Sequence, residues 1–174
     1  MENLFIGLMS GTSVDSIDSA LVNIDRGSFE LLESNSSLIN KDLKKRIFEA
    51  VNSADISNVE IEELDVELGK AFGKAANRLI QKASLNNTDI SAIGSHGQTI
   101  KHAPNTNKPF SLQIGKPEEI TRVTKIKTVA DFRTADIQAG GQGAPLAPLF
   151  HKFIFKKDKL SEGVIINIGG ICNL

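Results

Sequence analysis

The chain contains no tryptophan and no tyrosine, so all aromatic work falls to nine phenylalanines. That argues against a surface for stacking nucleobases. A single cysteine, Cys172, excludes an internal disulfide and fits a reducing compartment. An excess of charge of either sign is also missing. With 20 basic and 21 acidic residues the net charge is −1, which argues against nucleic acid or an anionic membrane held by bulk electrostatics. No apolar run approaches the length of a membrane span. Met1-Glu2-Asn3 is acidic where a signal peptide is basic. Together these features predict a soluble, cytoplasmic chain without membrane or nucleic-acid partners. There is no HExxH, no paired Cys/His spacing and no G-x-x-x-x-G-K-[ST], so neither a transition-metal site nor a P-loop is expected.

At 40% hydrophobic and 24% charged, the 174 residues can bury a proper core. The length is that of one domain, with two small ones possible. The most informative stretch is residues 5–22, FIGLMSGTSVDSIDSALV. An apolar run stops at Ser10-Gly11-Thr12-Ser13, and an alternating segment carrying Asp15 and Asp18 follows. Strand, Gly/Ser/Thr turn, strand is the pattern of a β-hairpin. Such a turn can point N–H and O–H donors at a polyphosphate, or simply satisfy its own backbone.

Residues 28–36 read as a third strand. Asn40 can cap a helix running through about Val51, with Leu43, Ile47 and Val51 on one stripe. Ser57 and Glu60 form a capping-box pattern. Leu64, Leu68, Ala71, Phe72, Ala75 and Leu79 give the longer helix behind it an apolar face that ends near Asn86-Asn87. The acids Glu60, Glu62, Glu63, Asp65 and Glu67 read as a solvated face that complements the helix dipole. Short strands are expected at 90–94, 111–115 and 127–130, a helix from Lys116-Pro117, and another after Ala144-Pro145 through Phe155. Strands first, then alternating β and α, indicate an α/β domain with a mixed sheet and flanking helices. The last stretch, Gly163 to Leu174, reads as a buried strand entering a glycine turn. Covering Val164, Ile165, Ile166, Ile168 and Ile171 is worth up to about 7–15 kcal/mol at roughly 1.5–3 kcal/mol each. That rivals the stability of a whole domain. The strand is therefore expected to dock on this sheet, on another copy or on a second domain following Leu174, which is the favoured reading.

Polar groups recur at strand ends: residues 10–13, 95–99, 131–136 and 167–170. In open α/β sheets ligands bind beyond the carboxyl ends of the strands, so the four clusters imply one shared cleft. His96 sits at a strand tip, with either a structural or a ligand-binding role, whereas His102 and His151 lack comparable context. Asp131 and Arg133 would share a face if the chain there is extended, either as a mutual ion pair or as a sugar- or carboxylate-binding pair. Residues 140–143, GGQG, precede a Pro-led helix and offer N–H groups to an anion, or form a plain glycine turn.

Taken together, the blocks GLMSGTSVDSIDSALV, IGSHGQTIKHAP, LQIGKPEEI, VADFRTADIQAGGQGAPLAPLFH and INIGGICN resemble the anhydro-N-acetylmuramic acid kinases. These are peptidoglycan-recycling sugar kinases of the actin- and hexokinase-like ATPase superfamily. The blocks run in order from residue 7 to 173, leaving residues 26–88 to lesser similarity. The resemblance implies a ribonuclease H-like, actin-like ATPase lobe over 1–160, and the first strand and glycine turn of a second lobe over 161–174. It implies an enzyme that uses ATP and Mg²⁺ to open the anhydro bridge of the sugar with water and phosphorylate the sixth-position oxygen. Gly11, Thr12, Ser13, Val14, Asp15, Ser16, Ile17 and Asp18 would form the first phosphate-binding loop. His96, Gln98, Asp131 and Arg133 would lie on the sugar side of the cleft. A homodimer is also implied.

Family members continue into a GFD-x-GPGN-type segment that supplies the general-base aspartate, the second phosphate loop and the adenosine site, and this chain has no such segment. The general-base aspartate is accordingly expected beyond Leu174, and no residue of the chain is assigned a catalytic or metal-ligating role. Loss of a general base alone costs about 10²–10⁴-fold, so the chain by itself is expected to be inactive. The alternatives are a kinase for another anhydro sugar such as levoglucosan, and a non-catalytic nucleotide- or sugar-binding module.

Overall fold

A computed structural model describes residues 3–25, 28–53, 57–155, 164–168 and 172–173. Alternation of apolar and small residues produces β1 (Leu4–Ser10), which buries Leu4, Ile6, Leu8 and Ser10 on one face and leaves Gly7 and Met9 on the other. A turn closed by Val14 N–H donating to the Gly11 carbonyl (3.0 Å) leads into β2 (Ser16–Asp25), antiparallel to β1. β3 (Ser28–Leu38) pairs antiparallel with β2 and is largely exposed. The expected hairpin and third strand are both present.

Asn40 caps α1 (Lys41–Asn52), its side chain accepting from Asp42 N–H. The buried stripe is Leu43, Ile47 and Ala50. Val51, expected on that stripe, is exposed because it lies eight residues past Leu43, where the 3.6-residue turn has rotated it off the core. α2 (Asn58–Lys82) starts where Ser57 Oγ accepts from Glu60 N–H at 3.1 Å. Its face of Leu64, Leu68, Phe72, Ala75 and Leu79 is fully buried and joins Ile6, Leu8, Ile17, Leu21 and Ile93 of the sheet in one core.

β4 (Ile90–Ala103) is far longer than the short strand expected. Its first half runs parallel to β1, and from Gln98 it pairs antiparallel with β5 (Phe110–Ile114). α3 (Pro117–Thr124) follows with proline in its first turn. β6 (Thr128–Val129) returns parallel to β4 at Ile93 and Gly94. A short helix that the sequence reading did not anticipate, α4 (Thr134–Gln138), precedes α5 (Ala147–Phe155). The six strands lie in the order β3-β2-β1-β4-β5, with β6 also on β4. This is the mixed-sheet α/β architecture the sequence implied.

β7 (Asn167–Ile168) and β8 (Cys172–Asn173) pair with each other in a separate two-stranded sheet. Of the buried strand and glycine turn expected from Gly163 to Leu174, the described residues show these two short paired strands. Val164, Ile165 and Ile166 are exposed, at 76%, 39% and 57%. The described residues do not supply the cover expected for them. Gly163, Gly169, Gly170, Ile171 and Leu174, and the side chain of Ile168, lie outside the described structure, so the expectations placed on them do too. Among the described residues no helix is long and apolar enough to cross a membrane.

Candidate active site

The site is built where β4 changes partner. β6 pairs with β4 at residues 93–94 and β5 pairs from Gln98, so residues 95–97 lie between the two pairings. On the β1 side the register also slips there: Leu8 faces Ser95, but Met9 faces Gly97, leaving His96 as the extra residue of a bulge. A bulge re-aims a side chain that regular alternation would place elsewhere. Gly97 makes the kink possible, with φ at +72° and a Cβ there meeting the Ile114 carbonyl oxygen at 2.4 Å. The cleft that opens has a volume of about 320 Å³ and is lined among others by Asp65, Ser95, His96, Gln113, Asp131 and Thr134.

His96 is committed on both ring nitrogens. Nδ1 lies 3.1 Å from the Gly97 carbonyl, which can only accept, so Nδ1 carries the proton. Nε2 then accepts from Arg133, 2.7 Å from Nη2 and 3.2 Å from Nε. Arg133 Nη1 donates to the Gly143 carbonyl at 2.6 Å. Burial holds the His96 pKa below the ordinary 6.5. The Gly97 carbonyl opposes the shift and the neighbouring Arg133 cation adds to it. His96, which lines the cleft, is thus a neutral link that orients the Arg133 guanidinium.

This has a consequence for stability. The unfolded chain takes up a proton on this imidazole near pH 6.5, while the folded chain resists until a lower pH. Stability should therefore fall as the pH drops from about 6.5 toward the lowered folded value. Urea midpoints at about pH 7.5 and about pH 5.5 should separate more in the parent than in His96→Gln. Equal separations would refute the assignment.

Asp131 and Arg133 do not share a face. Asp131 has φ at +55° and Arg133 is helical, so the chain is not extended between them. The Arg133 side chain goes to His96 and Gly143, and only its backbone bears on Asp131. Asp131 Oδ1 accepts from Thr134 N–H at 3.1 Å at the start of α4; its pKa is lowered by the Thr134 side chain and by the Thr134 and Arg133 backbone, with burial opposing. Gln98, expected beside the sugar, is 2% exposed, with Nε2 on the Thr99 carbonyl and Oε1 without a partner. It is not among the residues that line the cleft. Residues 140–143 form the plain glycine turn: the N–H groups of Gly140, Gly141 and Gly143 go to the Ile137 carbonyl, the Asp136 carbonyl and the Asp136 carboxylate.

The hydroxyl loop begins one residue beyond the Met9–Gly97 pair, at the same sheet end as the cleft. Thr12 and Ser13 are exposed, and nothing lies within 4 Å of a Cβ placed on Gly11, so an anion can approach the backbone there. Ser10 Oγ and Ser95 Oγ are buried without partners. The other expected loop residues divide. Val14 and Ile17 are core side chains, at 0% and 2% exposure. Asp15 pairs with Lys44 of α1, which with Ser13 lowers its pKa. Ser16 Oγ donates to Asp18, which also accepts from Ser36 on β3. Among the described residues no three His, Cys, Asp or Glu side chains converge as a metal cage.

Asp65 was hidden by the acids around it. Glu62, Glu63 and Glu67 are at the surface, as the solvated-face reading expects, but Asp65 is not part of that face. It is half-buried, with Oδ1 accepting from Gly115 N–H at 2.7 Å, and burial raises its pKa. Its spacing of three and seven residues from Leu68 and Phe72, which places it on the apolar stripe, is the signal that separates it from its neighbours.

The family model for anhydro-N-acetylmuramic acid kinase matches residues 3–174. The chain belongs to the anhydro-N-acetylmuramic acid kinase family. A relative of that name from Coxiella burnetii is 48% identical over 170 residues, covering 98% of this chain and 45% of the relative. One from Sulfurimonas denitrificans is 45% identical over 100% of this chain and 47% of its own length, and one from Shewanella amazonensis is 44% identical over 99% and 47%. The chain therefore spans about half the length of the curated relatives it matches, and this family half is a single ATPase-like lobe.

Proposed function

We propose that the chain is the N-terminal lobe of an ATP-dependent kinase acting on anhydro-N-acetylmuramic acid in the cytoplasm. In the reaction, water adds at the anomeric carbon as the anhydro bridge opens, and the freed sixth-position oxygen takes the γ-phosphoryl group, leaving ADP. Family membership carries this reading, supported by a cleft into which Asp65, His96 and Asp131 face and a hydroxyl loop at the same sheet end.

Within it, Gly11, Thr12 and Ser13 hold nucleotide phosphates through backbone N–H and hydroxyl donors, and Lys44 keeps Asp15 of the same loop in place. ATP with its Mg²⁺ supplies the phosphoryl group and the charge neutralisation for transfer. On the sugar side, Asp131 accepts from sugar hydroxyls and the His96–Arg133 unit presents a fixed cation to the lactyl carboxylate. Residues 161–174 open the second lobe, and the general base belongs to the part of the family beyond Leu174, which this chain does not match.

Calorimetric titration of the chain with anhydro-N-acetylmuramic acid and with levoglucosan tests the sugar assignment. Binding of the first and tenfold or weaker binding of the second is expected, because only the first carries the lactyl carboxylate. Equal binding of both, or of neither, would contradict it.

A further inference from the structure

Asp65 stands at the head of a stripe on α2 that faces the β5–α3 turn. Its Oδ1 accepts from Gly115 N–H at 2.7 Å and its main-chain carbonyl accepts from Lys116 N–H at 3.0 Å, so one residue takes both donors of the turn. One helical turn on, Gly69 lets that turn lie directly on the helix: a Cβ there would meet the Lys116 carbonyl oxygen at 2.6 Å. The turn in its own right supports the bulge. The Ile114 carbonyl lies against Gly97, and a Cβ on Gly115 would meet the Gly97 α-carbon at 3.5 Å. Gly97 presents the carbonyl that takes the His96 Nδ1–H, and His96 Nε2 holds Arg133. The contacts thus run unbroken from α2 to His96, which lines the cleft, and on to the Arg133 guanidinium behind it in the chain of hydrogen bonds.

We infer that Asp65 is a positioning residue for the sugar side of the cleft, anchoring the Gly115–Lys116 turn beneath Gly97 and through it fixing the His96–Arg133 unit. This rests on the sugar-kinase reading for the identity of the ligand, but not for the contact chain itself. A helix residue that takes two consecutive backbone N–H groups fixes the turn more firmly than a loop hydrogen bond can, because the apolar face of α2 is fully buried in the core. An acid on the apolar stripe is costly unless its hydrogen bonds are made, and here they are made to the turn that shapes the cleft.

The chain is small enough for solution NMR with Asp65→Ala and Asp65→Asn. Asparagine keeps the carbonyl oxygen that accepts from Gly115, and alanine does not. In Asp65→Ala the Gly115 amide should exchange at least tenfold faster, the His96 ring resonances should move, and affinity for anhydro-N-acetylmuramic acid should fall tenfold or more. Asp65→Asn should stay within about threefold of the parent on all three, an isosteric acceptor being retained. Faster Gly115 exchange with unmoved His96 resonances would overturn the inference. So would an Asp65→Asn variant as weak as Asp65→Ala but with Gly115 still protected, which would mean the charge itself meets the ligand. If Asp65→Ala does not fold, Asp65→Glu, which displaces the acceptor by one methylene, replaces it with the same readouts. If the parent does not bind the sugar, the functional reading fails, and the exchange and ring resonances alone decide on Asp65.

Discussion

Replacing Gly97 by alanine should destabilise the chain by about 2–6 kcal/mol, a large part of the roughly 5–15 kcal/mol that holds a domain of this size together. Two independent terms add. A left-handed backbone costs a non-glycine residue about 1–3 kcal/mol, and Gly97 has φ at +72°. The new Cβ would also stand 2.4 Å from the Ile114 carbonyl oxygen, a contact that only backbone movement relieves, and overpacking of this kind costs about 1–3 kcal/mol. The movement would push β5 away from β4 at the point where His96 bulges, so affinity for the sugar should fall with stability. Urea unfolding of the parent and Gly97→Ala measures the first effect. A loss under about 1 kcal/mol would mean that the kink is not fixed as described.

Replacing Arg133 by alanine should affect ligand binding more than folding. The guanidinium donates to His96 Nε2 and to the Gly143 carbonyl, and its charge bears on the imidazole. Charge-assisted hydrogen bonds contribute about 1.5–3 kcal/mol each, so loss of the cation and of its hold on the cleft should weaken sugar binding about 10- to 100-fold. Arg133→Lys should not restore it, because an ammonium cannot span His96 and Gly143 in one plane as the guanidinium fork does. The His96 pKa should rise in Arg133→Ala, since the nearby positive charge helps hold it down. Unchanged affinity together with an unchanged His96 titration would refute the unit.

Local chemistry made much of the fold legible. The β1–β2 hairpin followed from an apolar run broken by Ser10-Gly11-Thr12-Ser13, and α1 and α2 from their caps at Asn40 and Ser57 together with 3.6-residue spacing. What was missed depended on contacts distant in sequence. The length of β4 comes from a change of partner at Gly97, and no pattern in residues 90–103 announces that β5 will take over from β1. α4 is five residues long and starts on a bond to the Asp131 side chain, so it has no periodicity to read. At the candidate site, His96, Asp131 and Arg133 stand out in the sequence by residue type and by their place at strand ends. The pairing expected between Asp131 and Arg133 failed because Asp131 turns left-handed, and Arg133 instead reaches His96, 37 residues away. Asp65 sits in a run of surface acids, and the turn that sets it apart lies 50 residues on.

On the proposed function, these residues form one lobe of a sugar kinase and turn over only with a second lobe. Joining residues 1–174 to the C-terminal half of the Coxiella burnetii relative, 48% identical over the shared part, gives a chimera in which that claim meets its most direct test. Its ADP release with MgATP, measured with and without anhydro-N-acetylmuramic acid, should depend on the sugar and fall to background in Arg133→Ala, while the chain alone releases none. Sugar-dependent release by the chain alone, or a folded chimera whose ADP release ignores the sugar, would contradict the account.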